Sequence, residues 1–285
     1  MASTGVPPLD NTNYSFNSEG KLVHNDTGEH FVFSTQEDYE RLGNIITEMI
    51  YDMLMANPYS LRCRLLDGRD VTEIPRAKLP RDETFIFASK NLETANTLVV
   101  IIHGSGVVRA GQWARRLIIN ESIELGTQLP YIRCCIDRGW AVLVTNTNDT
   151  FYVDEITGGK KLKFGSSTPE EHGVNVWSRF VDGLSIAKRV FIIAHSYGGV
   201  VTTKILKTFD TARIKGICLT DAIFKDGIFN SIGTPIPCRN WVRSQAPLDT
   251  PLCGTHVSAG TENHERTSAS AIESVFKFLI NNTSD

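Results

Sequence analysis

The chain has no long hydrophobic run. Its longest, such as residues 98–102, holds five residues, far below the ~20 needed to cross a bilayer as a helix. No membrane association is expected. Residues 1–18 are polar, with two prolines and no apolar core of the kind a secretory signal carries. Charge of one sign is also lacking: 29 Lys and Arg stand against 32 Asp and Glu, a net charge of −3. That balance excludes direct nucleic-acid binding driven by charge alone. Cysteines are few. Cys63, Cys134, Cys135, Cys218, Cys238 and Cys253 show neither disulfide-framework density nor metal-ligand spacing. A reducing, intracellular compartment (cytoplasm, nucleus or both) is therefore expected, with no metal centre and no cofactor.

Repeats, low-complexity tracts and long linkers are absent as well. Residues 1–28 are rich in Asn, Ser, Asp and Gly and are expected to be loose. Residues 29–285, within a chain that is 41% hydrophobic, are expected to form one α/β domain. Residues 30–33 have the composition of a short strand. Ser34-Thr35-Gln36-Glu37 then has the form of a capping box, followed by apolar residues at helical spacing from Leu42 to Leu54. Residues 83–88 alternate like an edge strand, whereas 97–102 and 141–145 are continuously apolar, as strands covered on both faces are. Thr168-Pro169-Glu170-Glu171 opens another helix. Residues 190–194, 214–220 and 256–258 complete the strands, and a Pro-rich connection lies between the last two. Helices are expected at 200–209 and 268–280. Alternation of this kind predicts a mainly parallel sheet with helices on both faces, an α/β-hydrolase-like architecture with its active face at the carboxyl ends of the strands.

The most informative stretch is the apolar run that feeds directly into Ala194-His195-Ser196-Tyr197-Gly198-Gly199. Small-x-Ser-x-Gly between a buried strand and a helix is the setting of a nucleophile elbow, which lifts a serine hydroxyl above the sheet. Ser196 is the candidate nucleophile. Its base belongs in a loop before the last helix, where His264 lies; His256, which starts a strand, is the competitor. Asp221 ends the strand after the elbow helix and can serve as the orienting acid, with Asp249 one strand later as the alternative. The Tyr197 N–H, joined by Ser105 or Gly106 from the loop Ile102-His103-Gly104-Ser105-Gly106, would form the oxyanion hole. Arg109, Arg115, Arg116 and Trp113 follow this loop and are expected at the rim of the site, able to hold an acidic substrate group or a partner. His103 and His195 fit hydrogen-bonded scaffold better than base, and His195 should point away from the nucleophile.

The block from Gly104 through Arg109, Trp113, Arg115 and Arg116 to Asn120 resembles the argonaute-binding protein two (Arb-two) domain family, and within it the animal cotranscriptional regulators of "family with sequence similarity 172". The likeness continues through Ser167-Thr168-Pro169-Glu170-Glu171-His172, Leu219-Thr220-Asp221, Asn240-Trp241-Val242, Pro247-Leu248-Asp249-Thr250 and Val257-Ser258-Ala259-Gly260-Thr261 with His264. It implies a hydrolase-like fold, a nucleophile at Ser196, a histidine at His264 and an acid at Asp221. It also implies a regulatory role in small-RNA silencing or splicing, with argonaute and chromatin or splicing proteins as partners. The enzymatic alternative is a serine hydrolase acting on an ester, thioester or amide. Two features depart from the animal pattern. Only residues 149–167 precede the Pro-Glu-Glu helix, where those proteins carry a long charged insert, and the chain ends Asn282-Thr283-Ser284-Asp285 rather than in a retention-like tetrapeptide.

Overall fold

A computed structural model describes residues 9–224 and 235–283. In chain order its strands are β1 (Tyr14–Phe16), β2 (Leu22–His24), β3 (Arg62–Leu65), β4 (Phe85–Ala88), β5 (Thr97–Ile102), β6 (Ala141–Val144), β7 (Phe151–Val153), β8 (Lys160–Leu162), β9 (Arg189–His195), β10 (Ile214–Thr220), β11 (Cys238–Val242) and β12 (His256–Ser258). The α-helices are α1 (Gln36–Met55), α2 (Arg115–Asn120), α3 (Ile123–Gly126), α4 (Leu129–Ile136), α5 (Pro169–Val176), α6 (Gly198–Thr208) and α7 (Thr267–Asn281).

The main sheet runs β12-β11-β10-β9-β5-β6-β4-β3. The six strands from β12 to β6 are mutually parallel, and β4 is antiparallel to both β6 and β3. β5 and β9 lie at the centre, and alternation along them divides the core in two. Val99, Ile101, Phe191 and Ile193 face α1 and α7, packing among Ile46, Ile50, Val275 and Phe276. Leu98, Val100, Ile102, Val190 and Ile192 face the other way, among Trp177, Phe180, Val201 and Ile205. This is the α/β-hydrolase-like arrangement that the alternating pattern predicts.

Local details differ from expectation in ways that have physical causes. The stretch expected to be loose instead carries, from residue 9 on, the β1–β2 ribbon, and its Leu9, Phe16 and Leu22 are buried in the first core; residues 1–8 lie outside the described part. Residues 30–33 form no strand. His30 makes a single bridge to Val23, while Val32 and Phe33 are 74% and 59% exposed. The cap of α1 closes on Asp38 rather than Glu37: Thr35 Oγ1 accepts from the Asp38 N–H at 3.1 Å, and the Ser34 and Thr35 hydroxyls donate to the Asp38 carboxylate. β4 is interior, because β3 covers the side expected to be an edge. β11 arises from the Pro-rich connection, of which residues 225–234 lie outside the described part. Helix α5 widens into a π turn over Trp177–Asp182, which sets Trp177, Phe180 and Val181 into the second core.

Helices α5 and α6 meet at a glycine. A Cβ on Gly173 would lie 2.4 Å from Val201 Cγ1, closer than packed atoms tolerate. Gly173→Ala is expected to destabilise the fold by roughly 1–3 kcal/mol, read as a lower urea midpoint with an unchanged slope.

Candidate active site

The chain reverses between β9 and α6 at Ser196, whose φ is +52°, a left-handed conformation unusual for a residue with a Cβ. Three hydrogen bonds fix it. The Ser196 N–H donates to Thr220 O at 3.2 Å, and Ser196 O accepts from the N–H groups of Gly199 (3.1 Å) and Ile223 (3.0 Å). The neighbouring backbone comes so close that side chains are excluded. A Cβ on Gly198 would lie 2.8 Å from Ile102 O, and one on Gly199 2.5 Å from Ile223 O. Tyr197 leans the other way, its hydroxyl donating to Glu170 Oε1 at 2.5 Å.

His264 sits in a short 3₁₀ turn ahead of α7, held by Thr267 Oγ1 donating to His264 O at 2.8 Å. Its Nδ1 lies 2.6 Å from Asp221 Oδ2. A carboxylate can only accept, so Nδ1 carries a proton, and in the neutral ring Nε2 then presents a lone pair. Asp221, at φ +44°, caps β10. Its N–H donates to Trp241 O at 2.8 Å, and its Oδ1 accepts from the Arg243 N–H at 3.3 Å. Burial alone would raise the Asp221 pKa, but the hydrogen bonds from His264 and Arg243 outweigh it and hold the carboxyl below its ordinary value. Asp249 is occupied elsewhere, accepting from Trp241 Nε1 (2.8 Å) and Ser274 Oγ (2.5 Å). His256 bonds Cys253 O at the start of β12.

Ser196 and His264 line one cleft of about 380 Å³ together with Gly104, Ser105, Gly106 and Arg115. Among the described residues no hydrogen bond joins Ser196 Oγ to His264. The loop after β5 presses against the serine: a Cβ on Gly104 would lie 3.0 Å from Ser196 Cβ. Gly104 O accepts from His103 Nδ1 at 2.8 Å and Asn148 Nδ2 at 2.9 Å. The N–H of Ser105, in the same planar peptide, therefore points the opposite way, off the buried side of the loop. The N–H groups of Ser105, Gly106 and Tyr197 have no acceptor among the described residues, and Ser105 and Gly106 line the same cleft as Ser196.

Three histidines surround this centre in neutral form. Burial pushes His103 and His195 down to about 4 and His172 to about 3. His195 donates from Nδ1 to Thr220 O at 2.8 Å, as scaffold should. It does not point away from the nucleophile, however. Its ring lines the cleft and packs on His264 with centroids 4.7 Å apart.

The residues expected at the rim separate. Arg116 is there, its side chain 63% exposed and 3.3 Å from Glu265. Trp113 and Arg115 are only 3% and 6% exposed; they belong to the floor and wall of the cleft, because residues 110–115 turn inward under α1. Arg109 folds back, donating to Val107 O (3.3 Å) and Val108 O (3.1 Å). Sequence reading missed the residues that pin this segment. Asn148 holds Gly104 and Val108, Asn146 holds Ala110, and Gln128 holds Gly111 and Gln112. Asn240 likewise brackets Ala222, just after Asp221. Polar residues next to apolar strands were the available signal.

Comparison with known proteins follows the same segments. Residues 7–248 match the model of the Arb2 domain. The chain belongs to the Arb2 family. The match stops short of His264, but relatives extend further. A "FAM172 family protein homolog" of Caenorhabditis elegans is 39% identical over 286 residues, spanning 93% of this chain and 84% of its own. The "Cotranscriptional regulator ARB2A homolog" of Gallus gallus is 35% identical over 341 aligned residues, spanning 95% and 79%. An alignment longer than this 285-residue chain means that the bird protein carries residues absent here. Among solved structures, a histone deacetylase from Saccharomyces cerevisiae superposes with a TM-score of 0.53 at 11% identity, over 84% of this chain and 98% of that one. The histone deacetylase Clr3 gives 0.54 at 15% identity, over 90% of this chain and 41% of that one. At those identities the likeness is one of fold alone. Within the arginine-bearing block of this Arb2 chain, Arg109 and Arg115 bond the loop carbonyls of Val107 and Val108, and Arg116 is the exposed arginine.

The buried histidines make stability pH-dependent. In the unfolded chain they protonate near 6.5, whereas in the fold they resist until about 4. Between those values the unfolded state binds more protons, so stability is lost as pH falls, by up to about 1.4 kcal/mol per unit for each histidine. The melting temperature is expected to drop steeply from pH 6.5 to 4 and to stay level from 7 to 8. A level profile across the lower window would contradict the buried neutral assignment.

Proposed function

We propose that this Arb2 protein is a cotranscriptional regulator, as its relatives are named, and that its cleft performs serine-dependent acyl transfer. Ser196 Oγ attacks the carbonyl of an ester, thioester or amide and passes its proton to His264 Nε2. Asp221 holds the ring by Nδ1–H and balances the imidazolium. The N–H groups of Tyr197 and of Ser105 or Gly106 receive the oxyanion. The observation that carries this reading is the 2.6 Å His264–Asp221 pair opening onto the same cleft as a left-handed Ser196. The Ser196–His264 bond has to close when substrate enters, as such bonds commonly do.

That missing bond also supports a second reading, in which the cleft docks a protein without chemistry. Argonaute, chromatin or splicing proteins in the nucleus are the proposed partners. Arg116 and Glu265 offer the exposed charged rim for such docking.

Fluorophosphonate labelling separates the two. Wild-type protein is expected to label, and Ser196→Ala to lose labelling with its melting temperature nearly unchanged, since the strain resides in the backbone rather than the hydroxyl. A folded wild type that never labels would favour docking. Under the docking reading, Arg116→Glu should reduce co-precipitation of an argonaute protein while costing well under about 1 kcal/mol of stability.

A further inference from the structure

One buried cation beside the cleft has no counter-ion among the described residues. Arg115 is 6% exposed and forms the wall between the Ser196 cleft and a second cavity of about 570 Å³ bounded by α1, Arg109 and Asp149. Its Nη2 donates to Asn44 Oδ1 (3.3 Å) and Val107 O (3.2 Å). Its Nε is fully buried without a partner, and Nη1 bonds no described residue. No ion pair to Arg115 occurs among the described residues, whereas Arg76 is paired with both Glu48 and Asp52, and Arg116 with Glu265.

The fold has made room for this arrangement. A Cβ on Gly43, in the interior of α1, would lie 2.6 Å from Arg115 Cδ and 2.8 Å from Cζ. Glycine inside a helix is less stable than alanine, and a buried charge without a counter-ion is destabilising as well. Both costs are recovered if a ligand supplies the anion. A guanidinium meets a carboxylate through charge-assisted hydrogen bonds, and a 380 Å³ cleft is at the small end of ligand sites.

We infer that the cleft accepts a short acyl group bearing a carboxylate, with that carboxylate on Arg115 and the reacting carbonyl at Ser196. The substrate class is a monoester, thioester or monoamide of a small dicarboxylic acid. This rests on the acyl-transfer reading, and its test distinguishes the two.

The probes are a fluorophosphonate with a terminal carboxylate and the methyl ester of the same reagent. In each, a Ser196 Oγ–P bond forms, the P–F bond breaks, fluoride leaves and the serine proton passes to His264. Wild-type protein is expected to react with the carboxylate reagent at least about tenfold faster. In Arg115→Gln and Arg115→Lys that ratio should fall, further for Gln. Succinate should slow labelling of the wild type and raise its melting temperature, and inorganic phosphate should do so less. Equal rates with both reagents would overturn the inference and leave the acyl-transfer reading standing. Protection by phosphate but not by succinate would overturn the carboxylate assignment. If neither reagent labels, succinate stabilisation of the wild type that is lost in Arg115→Lys would uphold the anion site while the acyl-transfer reading fails. Should Arg115→Gln not fold, the lysine variant and the wild-type ratio still decide.

Discussion

The cleft depends on how closely backbone can approach backbone at the end of β9. Ser196 can hold φ +52° only because Thr220, Gly199 and Ile223 satisfy its peptide groups. Those partners are in reach only because Gly198 and Gly199 let the chain pass against Ile102 and Ile223. One turn therefore ties the carboxyl ends of β5, β9 and β10 together, and these ends carry the loop amides, the serine and Asp221 respectively. A strained residue costs on the order of 1–3 kcal/mol. The strands that meet at the turn, β5 buried throughout and β9 and β10 nearly so, supply far more than that by burial of aliphatic side chains.

Around that turn, polar atoms are buried in quantity, and most have specific partners. Asn146, Asn148, Gln128 and His103 bond the backbone of the loop from Gly104 to Gln112. Tyr131 donates to Ser268 O at 2.6 Å, and the Ser268 and Thr220 hydroxyls meet at 2.7 Å, tying α7 to β10 under the histidine pair. Such bonds contribute modestly in net terms, yet removing one partner strands the other in a dry interior. The network thus acts on geometry more than on stability: it gives the loop one conformation, with its amides turned outward.

The central strands, the elbow and the helices at 169–176, 198–208 and 267–281 were legible because continuous apolar runs, cap residues and helical spacing are local signals. Asp221 and His264 were legible as positions, since strand ends in a parallel sheet share one face. What stayed hidden depends on tertiary contact. β1 and β2 owe their order to Leu9, Phe16 and Leu22 reaching a core built by residues far along the chain. β11 reads as polar connection because it gains its meaning from β10 and β12 on either side. Arg115 looks like surface in any sequence window, and only the glycine opposite it, seventy-two positions earlier in the chain, shows that it turns inward.

The tilted ring pair His195 and His264 adds a constraint on the proposed reaction. Their rings are 4.7 Å apart, close enough that two positive charges would repel by about 3–4 kcal/mol at an effective dielectric near 20. A base that must become imidazolium in the transition state cannot work beside another that is already charged. Burial resolves this by holding His195 near 4, with its one proton committed to Thr220 O. In the proposed reaction the charge then falls on His264, with the Asp221 carboxylate 2.6 Å from its Nδ1. In that proposal His195, packed against its neighbour's ring, supplies shape and stays outside the proton transfer, which is left to His264.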